Sequence, residues 1–385
     1  MTEKLYYLDS HLFSFDALVL DCREEKQGWS VVLDRTAFFP EGGGQLADTG
    51  TLGGVNVLDV HEREGEIRHN TDAPLTVGAC VHGEIDAEQR LRRMQNHSGE
   101  HILSGLVHST CGWDNVGFHM GAECMIIDFS GELSWEQLMD LETRANALVR
   151  LNLPLHVWFP TEEELKTLEY RSKLELTENV RIVEIPGVDR CACCAPHVER
   201  TGEVGVIKIL DSTRHRGGQR VSVICGLDAL EDYRARQESV TDISRALSAK
   251  RSEAFQAVQR ILSEQQQMKE RLDTLSMKLV GFMAAAEPST DGNILVFDDS
   301  LGEIAQRELV NLLMEKAGGF AAVFVGSDRE GWRYIIGSLH ADLRAGARAV
   351  NAAIDGRGGG RPQMIQGSAG ACEAEIKSKL KALKV

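Results

Sequence analysis

Two short stretches restrict what this chain can fold into more than anything else in it. They are Gln95-Asn96-His97-Ser98-Gly99-Glu100-His101 and, with Cys193 standing 92 residues after His101, Cys193-Cys194-Ala195-Pro196-His197. On a helix, His97 and His101 lie one turn apart and project from the same face, so two ligands come from one rigid element. The second stretch offers a Cys and a His at a spacing that a turn, or a short loop entering a strand, folds around a tetrahedral ion. Three imidazoles and a thiolate suit Zn²⁺ rather than Mg²⁺ or Ca²⁺, which prefer oxygens. Either half alone reads as well as a surface or capping pair. Together they require a fold that brings the two stretches into contact.

The rest of the composition sets limits on that fold. A chain of 385 residues has room for two or three domains with a core in each. Its start, Met1-Thr2-Glu3-Lys4-Leu5, lacks a basic-then-apolar signal pattern, and no apolar run approaches membrane-spanning length. The expectation is therefore a cytoplasmic protein with no membrane partner. Nine Cys without a framework spacing read as reduced thiols, with Cys22, Cys80, Cys111, Cys124, Cys225 and Cys372 as small buried hydrophobes. A net charge of −16 argues against indiscriminate nucleic-acid binding. The charge is uneven, though: from Arg329 onward there are ten Lys/Arg against five Asp/Glu, and a local basic region can still grip a phosphate backbone.

Residues 1–88 read as short strands between glycine turns, with apolar runs at 17–20, 31–33 and 55–60, and the natural architecture is a small β-barrel. Within it, Gly42-Gly43-Gly44 followed by Gln45 is either a tight hairpin turn or a place where backbone approaches a ligand closely. From Glu88 the three-and-four spacing of Leu91, Met94, Ser98, Ile102 and Leu106 predicts the helix that carries the His pair. Ser134-Trp135-Glu136-Gln137 is a capping box that opens a second helix running towards Asn152, and Thr161 opens a shorter one. Strands at 180–185 and 204–209 bracket the Cys193 stretch, so residues 89–227 form an α+β domain with that stretch in a loop at its edge.

Residues 228–286 change character. Leu247, Ala254, Ile261, Met268, Leu275 and Phe282 recur every seven residues, which predicts one helix over 240–283, about 66 Å long at 1.5 Å per residue. It reads as a packed arm or hairpin, with a coiled-coil homodimer as the rival. Residues 287–385 then form a small α/β domain. Its distinctive stretch is Gly356-Arg357-Gly358-Gly359-Gly360-Arg361-Pro362, read as a loop whose glycine N–H groups and arginines cradle an anion. Lys377, Lys379, Lys381 and Lys384 sit on its final helix.

Four motifs in this order carry a resemblance: Thr36-Ala37-Phe38-Phe39-Pro40-Glu41-Gly42-Gly43-Gly44-Gln45, His97-x-x-x-His101, Cys193-x-x-x-His197 followed by Thr201-Gly202-Glu203-Val204-Gly205, and Gly358-Gly359-Gly360-Arg361-Pro362. The chain resembles the free-standing alanyl-tRNA editing proteins in their long form, which are similar to the editing and C-terminal parts of alanyl-tRNA synthetase. The resemblance covers nearly the whole chain. It implies an α+β multidomain fold: an N-terminal β-barrel, a zinc-binding editing domain, a long helical linker and a C-terminal tRNA-binding domain. Its cofactor would be Zn²⁺ on His97, His101, Cys193 and His197, and its partner tRNA(Ala) mischarged with serine or glycine.

Other roles follow from the resemblance by position. Thr36 is the candidate that reads a serine hydroxyl, Gln45 and His119 are pocket candidates, and Gly358, Gly359, Gly360 and Arg361 are candidates for tRNA contact. A homodimer through the helical arm or the C-terminal domain stays open. With the barrel at the start of the chain there is no room for a class II aminoacylation domain, so hydrolysis is expected and not synthesis. Cys194-Ala195-Pro196 departs from the family's Gly-Gly-Thr between Cys and His, and with Cys191 and Cys194 adjacent the thiolate ligand is left open among three cysteines. Two other readings compete: His97-Ser98-Gly99-Glu100-His101 as the H-x-x-E-H motif of a zinc protease with Glu100 as general base, and a non-catalytic zinc-containing tRNA-binding protein.

Overall fold

Along Ser14–Glu25, Phe15, Ala17 and Val19 are buried while the residues between them are exposed, the period of two that a strand with one wet face requires. A computed structural model describes residues 2–26, 28–172 and 180–383 of the chain. In it, Ser14–Glu25, Gly28–Leu33, Glu66–Thr71, Val55–Arg63, Gly50–Leu52 and Cys80–Ile85 pair in that order and close into a barrel. Val31, Leu33, Leu52, Val60 and Ile67 fill its interior. Cys80 is exposed on the last of these strands, where alternation turns Val81 inward and Cys80 out, so it is not the buried hydrophobe expected.

Helix α1 (Ala87–Cys111) follows the barrel directly, capped by the Asp86 carboxylate on the Gln89 N–H and ended by Gly112 in the left-handed region. Residues 94–107 are buried on all sides. Ile102, Leu103 and Leu106 pack on an antiparallel sheet ordered Ile207–His215, Gly218–Cys225, Met125–Phe129 and Asn115–Met120. On the barrel side, the fully buried Arg90 donates to both Asp48 oxygens, to the Ser10 carbonyl and to the Ala37 carbonyl. Asp48 in turn accepts the Phe39 N–H at 2.7 Å. This buried pair has its donors and acceptors engaged, and it fixes α1 against the segment that leads into the first glycine stretch.

Helix α2 (Trp135–Leu151) starts at the Ser134 capping box and α3 (Glu162–Leu165) at Thr161. His156–Trp158, Ile182–Ile185 and Asp189–Ala192 form a three-stranded sheet that leads into the Cys193 stretch.

The chain divides into two compact units, Met1–Ser239 and Val240–Val385. The helix expected over 240–283 is two helices, α4 (Gly226–Ala246) and α5 (Ala254–Ala286). Ser248 takes a positive φ of 48°, its N–H bonds back to the Arg245 carbonyl, and the Ala249 N–H bonds to the Ser244 carbonyl. That pair of bonds is a Schellman stop, which ends α4 whatever the heptad pattern asks.

The second unit is a mixed sheet ordered Ile294–Asp298, Ala321–Ser327, Gly331–Gly337, Met364–Ala369 and Gly356–Arg361. Ala321, Val323 and Val325 face one side, with α5 and α6 (Glu303–Met314); Ala322 and Phe324 face the other, with α7 (Leu343–Ala353) and α8 (Glu373–Leu380). Gly356–Arg361 is thus an edge strand and not a cradle, its backbone paired with Met364–Ala369 throughout. Lys377 and Lys379 lie on α8 and Lys381 at its end, while Lys384 falls outside the described residues.

Candidate metal centre

Helix α1 presents His97 and His101 on one face, their ring centroids 5.6 Å apart. The Cys193 loop is brought to them by Arg181, which is buried and whose Nη1 donates to the carbonyls of Cys193 at 3.0 Å and Ala195 at 2.8 Å. The Val198 N–H donates to Ser98 Oγ on α1. The result puts the His197 ring 4.8 Å from His97 and 4.6 Å from His101. Cys193 Sγ lies 3.5 Å from His97 Nε2 and 3.3 Å from His197 Nε2. All four ligand atoms fall within 4.8 Å of one another. Zinc at about 2.3 Å from sulfur and about 2.0 Å from nitrogen sets S and N about 3.5 Å apart on a tetrahedral edge, so the donor set fits that ion.

Each histidine is held from behind. His97 Nδ1 meets Gln45 Oε1 at 2.9 Å, His101 Nδ1 meets Asp189 Oδ2 at 3.0 Å, and His197 Nδ1 meets Ser98 Oγ at 3.0 Å. Arg171 clamps Asp189 through two bonds of 2.6 and 2.8 Å. With Nε2 turned to a bound ion, each Nδ1 would carry the proton and donate, which would fix tautomer and ring angle together. Of these outer partners only Gln45 was a candidate from sequence. Ser98 lies between His97 and His101 in the sequence, whereas Asp189 and Arg171 have no spacing that marks them.

Electrostatics separates the three cysteines. Burial disfavours a charged Cys193, yet His97 and His197 beside it hold its thiol well below the ordinary range. Burial pushes Cys191 and Cys194 up to about 11. Cys193 alone combines the position with the thiolate form that a metal takes. Burial brings His197 down to about 3, into the neutral form a ligand needs. Burial also opposes charge on His101, but Glu100 and Asp189 outweigh it and raise the ring well above its usual value, so an ion and a proton compete there. Burial likewise opposes charge on Asp189, which its donors His101 and Arg171 bring down to about 2.

The remaining sequence candidates sit elsewhere. Thr36 is fully buried in the barrel, its Oγ1 2.8 Å from His69 Nε2 and accepting the Phe38 N–H at 3.1 Å. His119 is exposed; strand alternation places its neighbour Phe118 against the site, with the Phe118 ring 4.8 Å from that of His97. Gly358, Gly359, Gly360 and Arg361 belong to the second unit. Glu100 accepts from Ser104 Oγ and Asn115 Nδ2 and lies 3.7 Å from His101 Nε2. The zinc-protease reading asks for a downstream carboxylate as third ligand, and the structure places Cys193 and His197 there.

Two family models match the sequence. One, described as the threonyl and alanyl tRNA synthetase second additional domain, covers residues 180–222, and one described as class II (A) tRNA synthetases covers residues 10–89. Among curated relatives, alanyl-tRNA editing protein AlaX-L of Pyrococcus horikoshii is 34% identical over 241 residues, 60% of this chain and 59% of that protein. The alanine–tRNA ligase of Halorubrum lacusprofundi is 32% identical over 74% of this chain and 32% of its own length. That of Methanoregula boonei is 31% identical over 95% of this chain and 41% of its own. The chain thus spans less than two thirds of each of these relatives.

Proposed function

We propose that this chain, a relative of the alanyl-tRNA editing proteins and the alanine–tRNA ligases, hydrolyses the ester bond of tRNA(Ala) mischarged with serine, and with glycine as a second substrate. The observation that carries the reading is the convergence of His97, His101, Cys193 and His197, each histidine braced from behind, with Cys193 and His197 inside the stretch matched by the synthetase second additional domain. Three histidines and one thiolate are the proposed zinc ligands. Bound zinc would acidify a water to a pKa of about 7 or polarise the ester carbonyl, either of them as a ligand added to these four, or it would orient the substrate for attack by a free water.

A synthetase pocket shaped for alanine has no size argument against glycine, and one methylene or hydroxyl gives discrimination of only about 10–200-fold. A separate hydrolytic site removes those errors, and it has to spare alanine. Thr36 is proposed to read the serine hydroxyl. His69 Nδ1 faces the Val31 carbonyl at 3.1 Å and so carries its proton there; its Nε2 then accepts from Thr36. With the Phe38 N–H also on Oγ1, Thr36 has one lone pair left and meets a serine hydroxyl as acceptor. The second unit, with Arg357, Arg361 and the α8 lysines, is the proposed grip on the tRNA body.

The experiment is a deacylation assay of the zinc-loaded chain on tRNA(Ala) charged in turn with serine, glycine and alanine. Loss of the seryl ester with the alanyl ester spared is the expected outcome. An inert chain, or equal loss of all three esters, would remove the reading.

A further inference from the structure

Gln45 closes the first glycine stretch, its N–H and carbonyl exchanging hydrogen bonds of 3.0 and 3.1 Å with Gly42. Its side chain is fully buried, and its Oε1 is fixed 2.9 Å from His97 Nδ1. With His97 Nε2 given to the proposed zinc, Nδ1 carries the proton, and the amide cannot flip without setting two donors against each other. Gln45 Nε2 is then left with both N–H groups, inside the protein, and it has no hydrogen-bond partner among the described residues. Arg68 Nε and Arg181 Nε share that condition, but Arg68 Nη2 donates to Glu66, and Arg181 Nη1 to the Cys193 and Ala195 carbonyls. Among the described residues, Gln45 alone leaves a whole buried NH₂ group idle, and it is one hydrogen bond from a proposed metal ligand.

A buried, idle donor is costly unless something that binds satisfies it. Resting on the deacylase reading, we infer that Gln45 Nε2 donates to the carbonyl oxygen of the bound aminoacyl ester. That oxygen is the stronger of the two acceptors on the reacting carbon, and seryl and glycyl esters both present it. It is also where charge develops. Water adds to the carbonyl carbon and the C=O π pair moves onto oxygen, facing the Gln45 N–H. The pair then returns, the bond to the ribose oxygen breaks, and that oxygen leaves with a proton taken from the water. A donor locked at its other end by His97 and by the Gly42 turn needs no reorganisation as that charge appears. Gln45 thus has two jobs, bracing His97 through Oε1 and meeting the oxyanion through Nε2.

Two variants separate the jobs in the full-length chain. Gln45→Glu keeps an oxygen for His97 Nδ1 and removes the donor; Gln45→Met removes both. Gln45→Glu should hold zinc as tightly as the parent while kcat falls about 10²–10³-fold, by the same factor on seryl- and glycyl-tRNA(Ala) and with KM little changed. A phosphonate analogue of the aminoacyl ester should lose affinity by a similar factor, and an amide-linked ground-state analogue should not. Gln45→Met should in addition weaken zinc about 10–100-fold. Parent-like kcat and phosphonate affinity in Gln45→Glu would overturn the inference, as would a fall confined to the seryl ester or a loss of zinc from that variant. If the unsubstituted zinc-loaded chain cleaves neither ester, the deacylase reading itself fails, an outcome distinct from the others.

Discussion

Gly42-Gly43-Gly44 and Gly358-Gly359-Gly360 are the same three residues in two different structures. In the first, Gly43 and Gly44 take φ of 61° and 84°, and a Cβ on Gly44 would stand 2.6 Å from the Phe118 carbonyl oxygen. The turn exists so that backbone can lie against backbone and deliver Gln45 to His97. In the second the backbone is an extended edge strand, and glycine is required for another reason: a Cβ on Gly358 would meet the Tyr334 hydroxyl at 2.2 Å. A Cβ on Gly359 beside it would meet no atom of the described residues within 4 Å. A glycine run therefore marks close approach in both places, but only in the first does the approach build a site with buried polar groups. In the second it leaves an exposed edge flanked by Arg357 and Arg361.

The largest expected effect lies on the site side of that contrast. His97→Ala removes one of the four proposed ligands and should lower zinc affinity by at least about 100-fold, more than loss of an outer partner. Zinc content after dialysis checks this, with Arg361→Ala as the variant that should keep its metal. If His97→Ala retains zinc as the parent does, the four residues are not the ligand set.

A fall in pH should weaken the unit that holds the first stretch. Burial lowers the pKa of His69 to about 4, whereas the unfolded chain takes up that proton near 6.5. Between those values the unfolded state binds more protons, so stability falls as pH drops from about 6.5 towards 4, by about 3 kcal/mol in all. The stability difference between His69→Gln and the parent in urea should therefore change across that window. A difference that does not move with pH would contradict the buried neutral His69.

How much of this could be read from residues alone differs by element. Helix α1 and the Ser134 capping box follow from local spacing, and so do the proposed histidine ligands, because a helical i, i+4 pair and a Cys-x-x-x-His turn are local geometries; Cys193 stands apart from Cys191 and Cys194 only through its tertiary contacts. Three other features rest on tertiary contacts or on a rare backbone state. The stop after α4 needs Ser248 at positive φ, which a heptad pattern does not register. Asp189 reaches His101 because Gly105 lets the Val188 carbonyl approach α1, where a Cβ would stand 2.4 Å from it. His119 is exposed while its neighbour Phe118 turns towards His97, because the phase of strand alternation is set only by the strand's partners.

Alanine substitution tests the two glycine stretches directly. Gly44→Ala forces a side chain into a positive φ and against the Phe118 carbonyl, and should cost about 1–3 kcal/mol. Gly359→Ala should stay within about 0.5 kcal/mol. Equal costs in denaturant would erase the distinction. The smallest effect is expected from Arg361→Ala, which should leave kcat and zinc alone, raise KM for mischarged tRNA and reduce the salt slope of tRNA binding by about 1. An unchanged slope would take the edge strand out of the tRNA contact.

The most direct test of the account is to strip the full-length chain of metal and follow seryl-tRNA(Ala) deacylation as zinc is returned. The account predicts a rate that rises with bound zinc and levels off at about one ion per chain. A metal-free chain that deacylates at the full rate, or a zinc-loaded chain that leaves the ester intact, would contradict it.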